Sequence, residues 1–257
     1  AAMLAYMGLY AQQHRGQEGA GIVSSDGSIL HRHMGQGLVS DVFSNPAAFD
    51  SLIGDSAIGH VRYSTTGDSD PKNVGPLTFN MGNYSLSIAH NGNLVNIDDI
   101  RKNLQEDGAL FQTSTDTEII IHLMAREKGA TLQEKLEKAL LKVEGAYSLL
   151  LLSPNEIIAA RDPHGIRPFC MGKLKDTIVF SSETCALDLL GAKYIREVEP
   201  GEIIVANDDG FHSRTFVAPK EQKHCIFEYI YFARPDSRIY GNNVDKMRRS
   251  FGRKLSR

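Results

Sequence analysis

Four short stretches of this sequence hold the side chains that could do chemistry. Gly59-His60-Val61-Arg62-Tyr63-Ser64-Thr65-Thr66-Gly67 puts an arginine at the end of a β-like run that feeds a hydroxyl-rich loop. A guanidinium there could hold both oxygens of one carboxylate in its planar fork. Ser114-Thr115-Asp116-Thr117-Glu118 offers the opposite charge. Thr115 and Glu118 have the spacing of a capping box, which leaves Asp116 available for a substrate ammonium. His90-Asn91-Gly92-Asn93-Leu94 reads first as a turn after a strand. As a site, the Asn91 amide and the Gly92 N–H would point at one developing oxyanion. His14-Arg15-Gly16-Gln17-Glu18-Gly19-Ala20-Gly21 spaces its glycines so that backbone can approach backbone or ligand. It lacks the G-x-G-x-x-G pattern of a dinucleotide site. Taken singly, each stretch has an ordinary reading as a surface ion pair, a turn or a helix cap.

The elements that must position these groups follow from periodicity and punctuation. Met3–Gln13 has apolar residues at helical spacing. Ala20–Ser24 and Ser28–Met34 form an expected hairpin around Asp26-Gly27, a two-residue turn signal. Ala57–Tyr63 is an expected strand, Ser64–Leu77 a loop, and Tyr84–Ala89 a strand ending in the turn His90–Asn93. Helices are expected at Ile97–Glu106, at Ile119–Arg126 behind the Thr115/Glu118 box with Gly129 as its stop, and after a second box at Thr131/Glu134. From Ala146 on, the chain reads as strands: Ala146–Leu152, Glu156–Arg161, Thr177–Ser181, Glu202–Ala206 and Phe211–Val217. Ala146–Leu152 is apolar on both sides, as a sheet covered on both faces requires. The pattern predicts an α+β domain with two stacked, mainly antiparallel sheets and helices outside.

Composition narrows the function classes. The chain has 257 residues, 42% hydrophobic and 23% charged, enough to bury a sizeable core. Its formal charge of -3 gives no strong field for nucleic acid or a membrane surface. The longest apolar run is far short of the roughly 20 residues that span a bilayer. Cys170, Cys185 and Cys225 are too few and too far apart for a disulfide framework, so a reducing, cytoplasmic setting is expected. Asn243–Arg257 is basic, and reads as a solvated helix face or the start of a further domain.

Together and in order, the four stretches resemble the glutaminase domain of the amidophosphoribosyltransferases. Arg161-Asp162-Pro163-His164-Gly165-Ile166-Arg167-Pro168, Ser182-Glu183-Thr184-Cys185-Ala186, Val198-Glu199-Pro200-Gly201-Glu202 and Phe227–Ser237 extend the resemblance over nearly the whole chain. The early motifs are common to class II glutamine amidotransferases. Ala233-Arg234-Pro235-Asp236-Ser237 points to the purine enzyme rather than to the glucosamine-6-phosphate synthase type.

The resemblance implies an N-terminal-nucleophile hydrolase fold, an αββα sandwich that hydrolyses glutamine and passes ammonia to phosphoribosyl pyrophosphate. It implies that Arg62 binds the glutamine α-carboxylate and Asp116 the α-ammonium. Asn91 and Gly92 would form the oxyanion hole, and Arg15 would order the substrate site. The family's nucleophile is a cysteine at the mature amino terminus, and Ala1 falls past that position. We therefore expect a cysteine before Ala1. We also expect a glutaminase domain over residues 1–222 and, over 223–257, a linker and the start of a phosphoribosyltransferase domain. The family further implies Mg2+ for that second domain, a homo-oligomer, and Cys225 as one ligand of a [4Fe–4S] cluster in those members that carry one. A non-catalytic glutamine-binding or regulatory domain is the reading from a different class.

Overall fold

The structure, a computed structural model, describes residues 1–63, 70–82 and 84–256. Helix α1 (Ala2–Ala11) leads through a turn of 3-10 helix into strands β1 (Gly19–Ser25) and β2 (Leu30–Gln36). Two single-turn helices, α2 (Val39–Val42) and α3 (Ala47–Asp50), precede β3 (Ser56–Arg62), β4 (Leu77–Met81) and β5 (Tyr84–Leu94). Helices α4 (Ile97–Glu106), α5 (Thr117–Arg126) and α6 (Leu132–Leu140) form the middle of the chain. Then come β6 (Gly145–Leu152), β7 (Ile157–Arg161), β8 (Cys170–Leu174), β9 (Thr177–Ser181), α7 (Thr184–Leu190), β10 (Lys193–Glu197), β11 (Glu202–Asn207) and β12 (Gly210–Thr215). A π-helical segment, Glu228–Phe232, and helix α8 (Val244–Leu255) complete it.

The layers follow from the alternation of side chains along each strand. Six strands in the order β12-β11-β7-β6-β5-β4 make one sheet. In β6, Leu149 and Leu151 join the large core under α4, α5 and α6, while Leu150 packs into the clusters on the other face. Ile158 and Ala160 of β7, and Ile203 and Val205 of β11, likewise face the helices, while Ala159 and Ile204 face away. Such two-sided burial requires a second layer, since each aliphatic side chain taken out of water contributes roughly 1.5–3 kcal/mol. That layer is two separate three-stranded sheets, β2-β1-β3 and β10-β8-β9, with α1, α2 and α7 packed outside them. The result is an αββα sandwich in which every ladder among the described residues is antiparallel.

Several local expectations are corrected. The β1–β2 connection has four residues, not two, because Ser25 pairs with Leu30 and Asp26 Oδ1 accepts from the N–H groups of Ser28 and Ile29. The turn at His90–Asn93 does not exist. β5 runs through it to Leu94, paired along its length with β6. The Thr115/Glu118 box is absent as well. Helix α5 starts at Thr117, and the Glu118 carboxylate turns back to accept from the N–H groups of Gln112 and Thr113. Gly129 does not stop that helix, which ends at Arg126. The second box is half present: Thr131 accepts from Glu134 N–H, but Glu134 accepts from Ala130. Strands β4, β8 and β10 and helix α7 were not anticipated. The expected loop 64–77 yields to β4 at Leu77, and its part at 64–69 lies outside the described residues.

The stretch after β12 is bound back onto the sandwich. Cys225 N–H and the Tyr240 hydroxyl both donate to the Ile166 carbonyl. Among the described residues, no helix is long and apolar enough to cross a membrane.

Candidate active site

A cavity of about 270 Å³ opens where the second layer is divided. Its wall takes residues from the end of α1, from β3, from the middle of β5, from the start of α5, from Ser182 just after β9, and from Cys225, Phe227, Tyr231 and Phe232 near the C terminus. Arg15, Arg62, Asn91, Gly92, Asp116 and Cys225, named above from sequence, all lie on it.

Strand alternation explains the Asn91–Gly92 corner. Leu94 N–H donates to Asp116 Oδ2 at 2.9 Å, so it points away from β6. The N–H and C=O of alternate residues share an edge, which puts Gly92 N–H on that same side. The His90 carbonyl, one step further back, faces His60 Nε2 there at 3.2 Å. Strand β4 covers this edge only as far as the Leu77–Ile88 pair. Beyond it the strand is uncovered by β4, and residues 90–92 border the cavity. Glycine is required at 92 because a Cβ there would lie 2.0 Å from the Ala146 carbonyl oxygen. Gly92 N–H thus lies on an open sheet edge rather than in a turn.

Arg62 is the last residue of β3 and is 6% exposed. Its guanidinium donates to the Asn73 carbonyl at 3.0 Å and lies 3.8 Å from Glu18 Oε2. The motif Arg15–Gly19 presses on the backbone of this residue. Glu18 N–H donates to the Arg62 carbonyl, and a Cβ on Gly16 would come within 2.5 Å of it. Here the glycine permits the close approach.

Asp116 is also 6% exposed. Besides Leu94 N–H it accepts from the Thr117 hydroxyl at 3.3 Å, and His90 Nδ1 is 3.5 Å away. Burial pushes its carboxyl up, but the His90 ring and the two bonds outweigh burial and hold it below the ordinary range. Asp116 is therefore a carboxylate at neutral pH.

Arg15 has a different environment. Its guanidinium is committed to Glu183 Oε1 at 2.5 Å and to both oxygens of Glu228 at 3.0 and 2.8 Å, and it stacks 4.5 Å from the Phe232 ring. It orders the wall through these partners. Glu183 and Glu228 are both fully buried.

Cys225 stands beside Arg167, whose guanidinium lies 3.8 Å from its sulfur. Cys170 and Cys185 are buried elsewhere, with thiols that burial pushes up. Among the described residues no group of three or more His, Cys, Asp and Glu side chains is arranged to hold a metal. Cys225 could supply one ligand to a cluster but not hold one by itself, and no step is assigned to such a group.

Sequence reasoning assigned no role to four groups at this site. His60 is held neutral, as burial lowers it to about 4. Its Nε2 hydrogen faces the His90 carbonyl, and Nδ1 has no hydrogen-bond partner among the described residues. Ser182 accepts from Asn91 Nδ2 at 3.2 Å. Glu183 and Glu228 fasten the C-terminal segment to the wall. All four sit inside the quoted motifs, but only contacts distant in sequence reveal what they touch.

Comparisons with known proteins identify the family. Residues 60–189 match the family model described as a glutamine amidotransferase domain. The chain is 47% identical over its whole length to the amidophosphoribosyltransferase of Bacillus subtilis, covering 54% of it. It is also 47% identical to the chloroplastic amidophosphoribosyltransferase 2 of Arabidopsis thaliana, covering 46% of that protein. A solved structure described as the allosteric regulatory enzyme of purine biosynthesis matches all of this chain with a TM-score of 0.96 at 47% identity, over 55% of its own length. The Bacillus subtilis glutamine phosphoribosylpyrophosphate amidotransferase, solved with ADP and GMP, matches with a TM-score of 0.94 at 46% identity. The chain spans about half the length of the relatives it matches. Divided second layer, open strand edge and family match converge: the chain belongs to the glutamine amidotransferase family, on an N-terminal-nucleophile hydrolase fold.

Proposed function

We propose that this chain is the glutamine-hydrolysing half of an amidophosphoribosyltransferase. It releases ammonia from glutamine for the synthesis of phosphoribosylamine from phosphoribosyl pyrophosphate in purine biosynthesis. The observation that carries the reading is one cavity shared by a buried cation, a buried anion and an open strand edge. A free amino acid carries both charges on its α-carbon, so Arg62 takes the α-carboxylate and Asp116 the α-ammonium. The side-chain amide then reaches the Asn91–Gly92 corner. Amide hydrolysis passes through a tetrahedral oxyanion, and the Asn91 amide and Gly92 N–H receive that charge already oriented. The attacking thiol in this family is that of an amino-terminal cysteine, and buried Cys170 and Cys185 do not take its place. Phosphoribosyl pyrophosphate and its Mg2+ belong to the other half of the enzyme.

The test is Arg62→Ala in the full-length protein. A charge-assisted bond contributes about 1.5–3 kcal/mol, so KM for glutamine should rise about 10–100-fold while synthesis from free ammonia survives. Loss of both activities would remove the glutamine-specific role of Arg62.

A further inference from the structure

We propose that Ser182 is a positioning residue for Asn91, an inference that rests on the glutaminase reading. The Asn91 amide nitrogen donates to Ser182 Oγ at 3.2 Å, and both residues lie on the cavity wall. Asn91 shares a strand face with Ala89, which packs toward the second layer. Ser182 directly follows β9, at the edge of one of the two sheets of that layer. The bond therefore crosses between layers beside the cavity.

An asparagine amide carries two hydrogens, and its terminal torsion is broad when nothing holds it. Engaging one hydrogen at Ser182 sets the plane of the amide. The second hydrogen is left for the substrate oxygen, beside the strand edge that carries Gly92 N–H. A donor held before the reaction begins needs no reorganisation as charge develops.

Ser182 has a rigid seat. The Ser181 hydroxyl donates to the Glu183 carbonyl at 2.8 Å and accepts from Glu183 N–H at 3.3 Å, tying the backbone on both sides of residue 182. The buried Glu183 carboxylate faces His14 at 2.7 Å, Arg15 at 2.5 Å, Arg234 N–H at 2.9 Å and the Ser237 hydroxyl at 2.6 Å. The C-terminal stretch thus bears on the oxyanion donor through two adjacent residues, Glu183 and Ser182.

The test uses the full-length protein and steady-state glutamine hydrolysis. Removing an oxyanion donor outright costs about 100–1000-fold in kcat, so misorienting one should cost less. Ser182→Ala should lower kcat about 10-fold, leave KM for glutamine within about twofold, and leave ammonia-dependent synthesis intact. Ser182→Thr, which keeps the hydroxyl, should restore most of kcat. In an Asn91→Ala background Ser182→Ala should have no further effect, because its action passes through that amide. Unchanged kcat in Ser182→Ala, or additive losses in the double variant, would overturn the proposal. Equal loss of ammonia-dependent synthesis would also overturn it, by showing a general defect. Absence of glutamine hydrolysis in the unsubstituted protein would instead sink the glutaminase reading itself.

Discussion

Asp116 and Glu183 are both buried carboxylates of the cavity region, yet they are built for opposite tasks. A carboxylate offers about four lone-pair sites. Glu183 spends them on His14, Arg15, Arg234 N–H and Ser237, none of which is a ligand. Asp116 spends one on Leu94 N–H and one on the Thr117 hydroxyl, faces His90 Nδ1 at 3.5 Å, and lies on the cavity wall. The first is saturated and joins segments far apart in sequence. The second is held ionised but keeps capacity for a further donor. A buried charge stabilises the fold only when its partners are complete. A residue proposed to bind substrate must stop short of that, and the fold around it bears the cost.

Removing each carboxylate should separate the two tasks. Glu183→Ala leaves Arg15 short of an anion and the C-terminal stretch short of two anchors. We expect a loss of about 3–5 kcal/mol in denaturant unfolding, the scale of a broken buried pair. A loss under about 1 kcal/mol would mean the network does not bind the segments together. Asp116→Asn should do the reverse. It keeps an oxygen for Leu94 N–H, so stability should change by no more than about 1.5 kcal/mol. In the full-length enzyme KM for glutamine should rise about 10–100-fold. If unfolding shows Asp116→Asn to be the more damaging, the contrast is wrong.

Acid gives the smallest and most graded test. Burial raises the Glu183 carboxyl, but His14 and Arg15 outweigh it and hold it at about 2 against an ordinary 4.5. Its contribution is complete above 4.5 and is lost as pH falls from there toward 2. His60 acts earlier. Burial lowers it from 6.5 to about 4, so the unfolded chain takes its proton first. Stability is complete above pH 6.5 and falls between 6.5 and 4. Replacing His60 with Gln should flatten that upper limb and leave the lower one. An unchanged upper limb would show that the ring is not buried neutral.

The layered fold was legible because burial leaves a periodic trace. Ala146–Leu152 carries apolar residues on both of its faces, and the structure covers it on both sides. The helix at Ile97–Glu106 has the predicted bounds. Strands β8 and β10 were not legible, since Cys170–Leu174 and Lys193–Glu197 are short and mixed in polarity. β10 is held by pairing with β8 across helix α7, not by a strand pattern of its own. The Asn91–Gly92 and Asp26–Gly27 pairs teach the same lesson. Both carry a turn signal, but only the second turns, because β6 pairs with β5 straight through Gly92.

The order of motifs along the chain by itself identified the family and singled out Arg62, Asp116, Asn91 and Gly92. Local spacing carries such information because it records which residue types a site needs. Their convergence on one cavity was decided by the tertiary structure, as were the early end of β4, the gap between the two three-stranded sheets and the Ser182–Glu183 junction. These arise from pairing and packing between residues tens to hundreds of positions apart, and no local pattern records which distant backbone will lie alongside.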